Sequence, residues 1–283
     1  MSIAVVTDST AYLSPEEREK YNIYMIPLSV TLEDGVFEEE VEIHAKEFYD
    51  KVREAKVFPK TTQPPIGKFM ELFETLSKDY DEVICIHLSS GISGTFQSAL
   101  QAGNIIEGIK VHGFDSEISC APQGYYAVQA AKMAKEGKTS DEILEKLEEI
   151  KSRMRAYFIV DDLSHLQRGG RLSSAAAIVG GLLQIKPVLH FENKVIVPFE
   201  KIRTKKKALS RVEELLSQDA AKYDRIHAMV IHANREQEAL EWMAKMQEKF
   251  PNVEFHLSYF GPVIGTHLGE GSLGLGWVPV MEE

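Results

Sequence analysis

Two cysteines, Cys85 and Cys120, are all that 283 residues carry, too few for a disulfide framework or a thiolate metal cage. Cys85 sits inside an apolar run, where a reduced, buried thiol is expected. Long hydrophobic runs are lacking too, and none approaches the ~18 apolar residues a membrane span requires. The opening "MSIAVVTDST" has neither the basic n-region nor the long apolar core of a signal peptide. Positive charge is the scarcer sign: 32 Lys and Arg against 43 Asp and Glu give a net −11, which repels nucleic acid and anionic lipid surfaces. No H-x-H, H-E-x-x-H or paired-carboxylate cluster marks a metal centre. These absences predict a cytoplasmic protein with no metal, no nucleic-acid partner and no stable membrane insertion.

What is present alternates between strand and helix. "IAVVT" (Ile3–Thr7) is a short β-branched run. Ser14, Pro15 and Glu17 then spell a helix start, with an N-cap, a proline at the first helical position and a capping box. "MIPLSV" (Met25–Val30), "EVICIHL" (Glu82–Leu88) and "KVHGFDS" (Lys110–Ser116) read as strands. The second is apolar throughout, as in a sheet covered on both faces. Ile143, Leu147, Ile150 and Met154 recur at helical spacing. This pattern predicts an α/β fold whose first domain, residues 1–155, is a doubly wound, mostly parallel sheet. The second domain, 156–283, reads as a mixed α/β sheet. It opens on "AYFIV", carries a hairpin around "FENK", and ends in "RIHAMVIH" and a helix with Ala239, Met243, Met246 and Phe250 on one face.

The chemistry-bearing stretch of the first domain is "LSSGISGTFQSA" (Leu88–Ala99). A hydrolase elbow needs G-x-S-x-G, but Gly91-Ile92-Ser93-Gly94-Thr95 has threonine in place of the last glycine. A P-loop needs a lysine followed by Ser/Thr, which is absent. What remains is a strand running into a helix near Gly94, with hydroxyls beside free N–H groups and a positive dipole end. Such a place suits a small anion, or Ser93 simply caps the helix. "PKTTQPP" presents Thr61 and Thr62 on a proline-stiffened loop. "QRGGRLSSAAAIVGGLLQIKP" pairs Arg168 with Arg171 ahead of an apolar, small-residue helix. "GPVIGTHLGEGSLGLGW" reads as a glycine-spaced loop carrying His267. Its "GEGSLG" matches G-x-G-x-x-G, but it lies too near the end of the sequence for the helix and distant acid of a dinucleotide site. No cofactor is expected.

Taken in order, "VVTDST", "PKTTQP", "LSSGISGTFQSA", "QRGGRLS", "LLQIKPVL", "RTKKKAL" and "GPVIGTHLGEGSLGLG" resemble the DegV family over essentially the whole chain. Members of that family include the fatty-acid-binding subunits of bacterial fatty acid kinase. Two departures are Thr62, where the family often has serine, and Glu270, where proline is common. The resemblance implies a two-domain protein holding one long-chain fatty acid, such as palmitate, in a buried tunnel between or beneath the domains. It implies that Thr61 and Ser93 bind the carboxylate, with Thr62, Gly94 and His267 in the supporting polar network. Arg171, Arg203 and Lys205 would meet the partner or the transferred phosphate. The implied partner is an ATP-binding kinase subunit, and this chain would have no independent catalysis. Two other readings stay open: a stand-alone acyl or phosphate ester hydrolase or transferase using Ser93 and His267, and a lipid carrier or sensor without a kinase.

Overall fold

The computed structural model describes residues 2–172 and 186–280. The expected small-residue helix of "SSAAAIVGGLLQI" (173–185) lies outside the described residues. The chain resolves into two compact units, residues 1–43 with 57–152 and residues 44–56 with 153–283. Helix α2 (Ala45–Glu54) falls in the second unit, between two stretches of the first. Its Tyr49 hydroxyl donates to the Phe260 carbonyl at 2.8 Å. Its Arg53 grips both oxygens of Glu270, at 2.8 and 2.5 Å. Bidentate guanidinium–carboxylate pairs fix geometry as well as charge, so Glu270 serves as an anchor for α2.

The first unit is built on a parallel sheet in the order β2-β1-β6-β7. Its strands are β1 (Ile3–Asp8), β2 (Ile23–Ile26), β6 (Glu82–His87) and β7 (Lys110–Asp115). Between β1 and β2 lies α1 (Pro15–Tyr21), opened by the expected capping box: Ser14 Oγ accepts from Glu17 N, and Glu17 accepts from Ser14 N. Every residue of β6 is buried, the apolar Val83–Ile86 and the flanking Glu82 and His87 alike. One face of the sheet packs Val6, Val83 and Cys85 against Phe69 and Phe73 of α3 (Ile66–Leu76) and Ala99 and Ala102 of α4 (Thr95–Gly103). The other receives α5 (Cys120–Lys135), with Tyr126, Ala127 and Ala130 buried. Helix α6 (Ser140–Arg153) buries Ile143, Leu147 and Ile150, the stripe seen in the sequence.

"MIPLSV" is not one strand. It is divided at Pro27 between β2 and β3 (Ser29–Leu32), which belong to different sheets. Proline has no N–H to continue a ladder, so the chain leaves the parallel sheet there. It enters a small antiparallel sheet, β4-β3-β5, with β4 (Gly35–Glu38) and β5 (Lys60–Thr62).

The second unit is a mixed six-stranded sheet in the order β10-β9-β8-β13-β11-β12. Strands β9 (Val188–Glu192) and β10 (Val195–Glu200) form the expected hairpin. Its central Asn193 and Lys194 both have positive φ, 49° and 72°, the type I′ geometry that matches strand twist. β8 (Arg155–Ile159), β11 (Ile226–His232) and β12 (Val253–Tyr259) complete the set with β13 (Leu273–Pro279). Helices α8 (Lys205–Ala220) and α9 (Glu236–Lys249) cover one face, burying Val212, Leu216, Trp242 and Met246 against Ala228, Val230 and Trp277. The glycine-spaced "loop" near the end is instead α10 (Pro262–Leu268) followed by β13, paired on both sides. Glycines at 274 and 276 masked a strand that is wholly buried.

Candidate functional site

Strand β1 leads through α1 to β2 on one side of the sheet, and β6 leads through α4 to β7 on the other. The carboxyl ends of β1 and β6 therefore form a topological switch point, the crevice in which open α/β sheets take ligands. Asp8 closes β1 and His87 closes β6, and both are fully buried. His87 Nδ1 lies 2.9 Å from Asp8 Oδ2, which also accepts from Leu88 N at 3.0 Å. Thr10 donates to Asp8 Oδ1 through its backbone N at 3.0 Å and its hydroxyl at 2.6 Å. Gln123 from α5 donates to Thr7 Oγ1, which donates to the Ile86 carbonyl. Burial alone would push the Asp8 carboxyl up. The interactions with His87, joined by Thr10 and Leu88, outweigh it and hold the group below the ordinary aspartate range. Beside this network Glu39 accepts from Ser9 Oγ at 2.5 Å and Tyr12 Oη at 2.9 Å. The only signal of these groups in the sequence is "TDST", a polar run on a strand whose other residues are apolar.

The loop after β6 is folded by its own hydroxyls. Ser90 bonds Asp115 through both its N–H, at 3.1 Å, and its hydroxyl, at 2.5 Å. Ser89 Oγ accepts from Gly91 N. Ser93 and Thr95 stand at the start of α4, with Oγ and Oγ1 2.9 Å apart and Thr95 N donating to Ser93 Oγ. Gly94, not Ser93, holds the N-cap position. A methyl group on Gly94 would fall 2.2 Å from Gln63 Oε1, and Gln63 Nε2 donates to Ser98 Oγ at 2.7 Å. This contact brings the end of β5, with half-buried Thr61 and exposed Thr62, to the start of α4. Gln63 thus ties the strand that carries Thr61 and Thr62 to the helix start at Gly94, the residue after Ser93. His87, the buried histidine of this unit, turns its Nε2 away from any polar partner and sits edge-on to Phe69, ring centroids 5.4 Å apart.

In the second unit His267 lies on α10, 9% exposed. A methyl group on Gly169 would come within 2.2 Å of its Nδ1, so the end of α7 (Ser164–Arg168) presses directly on the imidazole. Arg171 donates to the Gly169 carbonyl at 2.6 Å. Burial, then the nearby charges of Arg171 and His165, push the His267 pKa down to about 3. Its imidazole is therefore neutral across the physiological range. Arg203 is exposed just before α8. The Lys205 ammonium donates to the Gly271 carbonyl at 2.9 Å and pairs with Glu238 at 3.0 Å. "GEGSLG" runs from α10 into β13 rather than into a helix, as the rejected dinucleotide reading requires.

The DegV family profile matches residues 2–280. The chain belongs to the DegV family. Protein DegV of Bacillus subtilis is 58% identical over 278 residues, covering 98% of this chain and 99% of the relative. A DegV domain-containing protein of Listeria monocytogenes is 54% identical, covering 97% and 98%. The crystal structure of the Bacillus subtilis DegV, described as a fatty acid binding protein, superposes with a TM-score of 0.95 at 57% identity, over 99% of this chain and 100% of that one. A Thermotoga maritima structure said to reveal fatty acid binding function matches at 31% identity and a TM-score of 0.84, over 99% and 100%. The α/β architecture, with one parallel and one mixed sheet, is thus the DegV fold. Among the described residues no helix is long and apolar enough to cross a membrane.

Proposed function

We propose that this protein binds one long-chain fatty acid and presents its carboxylate to a separate ATP-dependent kinase, in the cytoplasm, without catalysis of its own. The observation that carries the reading is the full-length likeness to the Bacillus subtilis DegV structure, described as a fatty acid binding protein, at 57% identity. In this reading Thr61 and Ser93 hydrogen-bond the carboxylate, flanked by Thr62 and Gly94. The helix start supplies backbone N–H groups and a positive dipole end. Hydroxyls and amides satisfy a desolvated carboxylate without neutralising it, which leaves an oxygen available to attack a phosphoryl donor. The stretch Leu88–Ala99 carries no lysine or arginine to hold that oxygen more tightly. His267 would take part as a neutral imidazole, and Arg171 and Arg203 would meet the kinase or the transferred phosphate. Opposite-sign patches steer association, and Arg203 is exposed, with Lys205 two residues on; both are assigned to that contact in this reading.

The tail supplies affinity in this scheme. Burying about fifteen methylenes of a C16 chain is worth roughly 12 kcal/mol gross, and association and ordering costs take back several kcal/mol. Purified protein, denatured and extracted, is expected to release near-stoichiometric long-chain fatty acid by mass spectrometry. An empty extract, with no uptake of added palmitate, would overturn the reading. The double substitution Thr61→Ala with Ser93→Ala is expected to keep the lipid but lose acyl-phosphate formation with a cognate kinase. Normal turnover by that variant would remove both residues from the site. Arg203→Ala is expected to lower kinase-coupled turnover with lipid retention intact.

A further inference from the structure

Outside both clusters, the edge of the second unit's sheet gathers nitrogen and oxygen donors that fatty-acid binding does not use. His227 on β11 stands directly opposite Glu254 on β12 in the parallel ladder. His256 follows Glu254 by two residues, so the pleat puts it on the same face. The His227 and His256 rings lie 4.3 Å apart, tilted by 30°. One ligand atom from each of the three side chains falls within 4.8 Å of the other two, and His256 Nε2 is already 3.2 Å from Glu254 Oε1.

We propose that His227, Glu254 and His256 form a binding site for a borderline divalent transition-metal ion, with Zn2+ as its reference ligand. Two imidazoles and one carboxylate make the His2Glu donor set of open zinc sites. Nitrogen donors favour Zn2+, Ni2+ and Cu2+ over the oxygen-seeking Ca2+ and Mg2+. Zinc bonds of about 2.0–2.1 Å place tetrahedral ligand atoms closer together than the resting arrangement. The closure needed is a torsional adjustment of Glu254 and His256, whose side chains are 59% and 49% exposed. The backbone need not move, because both strands are locked in a continuous ladder. Glu254 Oε2 lies 4.0 Å from an Arg225 guanidinium nitrogen, so Oε1 is the better placed to ligate while Arg225 steadies the other oxygen. The fourth position opens to solvent, on the outermost strand of the sheet. The pairing was invisible in the sequence because His227 is 27 residues from its ladder partner and neither "IHA" nor "EFH" carries a metal-binding spacing.

A plain ion pair decorating an edge strand makes different predictions. Untagged full-length protein, stripped with chelator near neutral pH, is titrated with Zn2+ by calorimetry and with Co2+ by visible absorption. The expected result is one ion per chain and the intense band of tetrahedral cobalt. His256→Ala and Glu254→Gln alter exposed side chains, and thermal melts check that they fold. Each is expected to weaken Zn2+ binding by no less than the tenfold or so that even an outer-shell partner is worth. Zn2+ is also expected to raise the melting temperature of the parent chain, through preferential binding to the folded state, but not that of His256→Ala. Absence of saturable uptake would overturn the site, and so would stoichiometric uptake unchanged in both variants. Because the readout is metal and not lipid, this result stands or falls apart from the fatty-acid proposal.

Discussion

Asp8→Ala is expected to cost about 2–4 kcal/mol of folding stability, because it leaves several fully buried hydrogen-bond donors without their acceptor. The carboxylate accepts from Leu88 N, Thr10 N and the Thr10 hydroxyl and faces His87 Nδ1, all in complete burial. Its removal strands these groups where water does not reach, and each unsatisfied buried donor costs about 1–3 kcal/mol before relaxation. Asp8→Asn is expected to lose less, since one amide oxygen still accepts, but its NH2 must then oppose a backbone N–H. Urea unfolding at constant m-value gives the difference directly. An Asp8→Ala chain within 1 kcal/mol or so of the parent would mean that the network relaxes or hydrates easily, contrary to the usual cost of such losses.

Acid should destabilise this protein well above the range in which carboxylates titrate. The His267 imidazole is neutral when folded down to about pH 3, whereas in the unfolded chain it takes up a proton near pH 6.5. The unfolded state therefore binds more protons between those limits, and stability rises with pH there. The contribution is fully present above about 6.5 and is lost progressively as pH falls toward 3, at up to about 1.4 kcal/mol per pH unit. Burial lowers His190 and His232 as well, which adds a slope of the same sign. Chemical unfolding at a series of pH values from 7 to 4 is the measurement. His267→Asn changes the intercept through packing, but its test is the slope, which is expected to flatten. An unchanged slope in that variant would place the acid sensitivity elsewhere.

The elements legible in the sequence are those whose signal is local. Ser14, Pro15 and Glu17 specify a helix start by themselves, "FENK" its hairpin, and the apolar centre of β6 a strand covered on both faces. What was not legible depends on partners far along the chain. Helix α2 belongs to the second unit because Tyr49 and Arg53 meet Phe260 and Glu270, more than 200 residues on. Glycines hid β13, since the strand gains its place from two neighbouring ladders rather than from side-chain propensity. At the candidate site Thr61, Ser93 and Gly94 were singled out by the resemblance to the DegV family, the hydroxyl and glycine content alone leaving a turn or a helix cap open. Gln63, which ties their elements together, and the Asp8–His87 pair beneath them were not, because their meaning lies in contacts across 35 and 79 residues.

Cys85 and Cys120 both belong to the first unit and are fully or nearly fully buried. Burial raises both thiols far above the ordinary range, and the charges of Glu39 and Asp8 add to the effect at Cys120. Since only the thiolate reacts, neither sulfur is a target for alkylating reagents while the first unit stays closed. The second unit has no thiol at all. The rate at which a reagent consumes the two sulfurs is therefore a clock that counts openings of the parallel-sheet half alone, without any label being introduced.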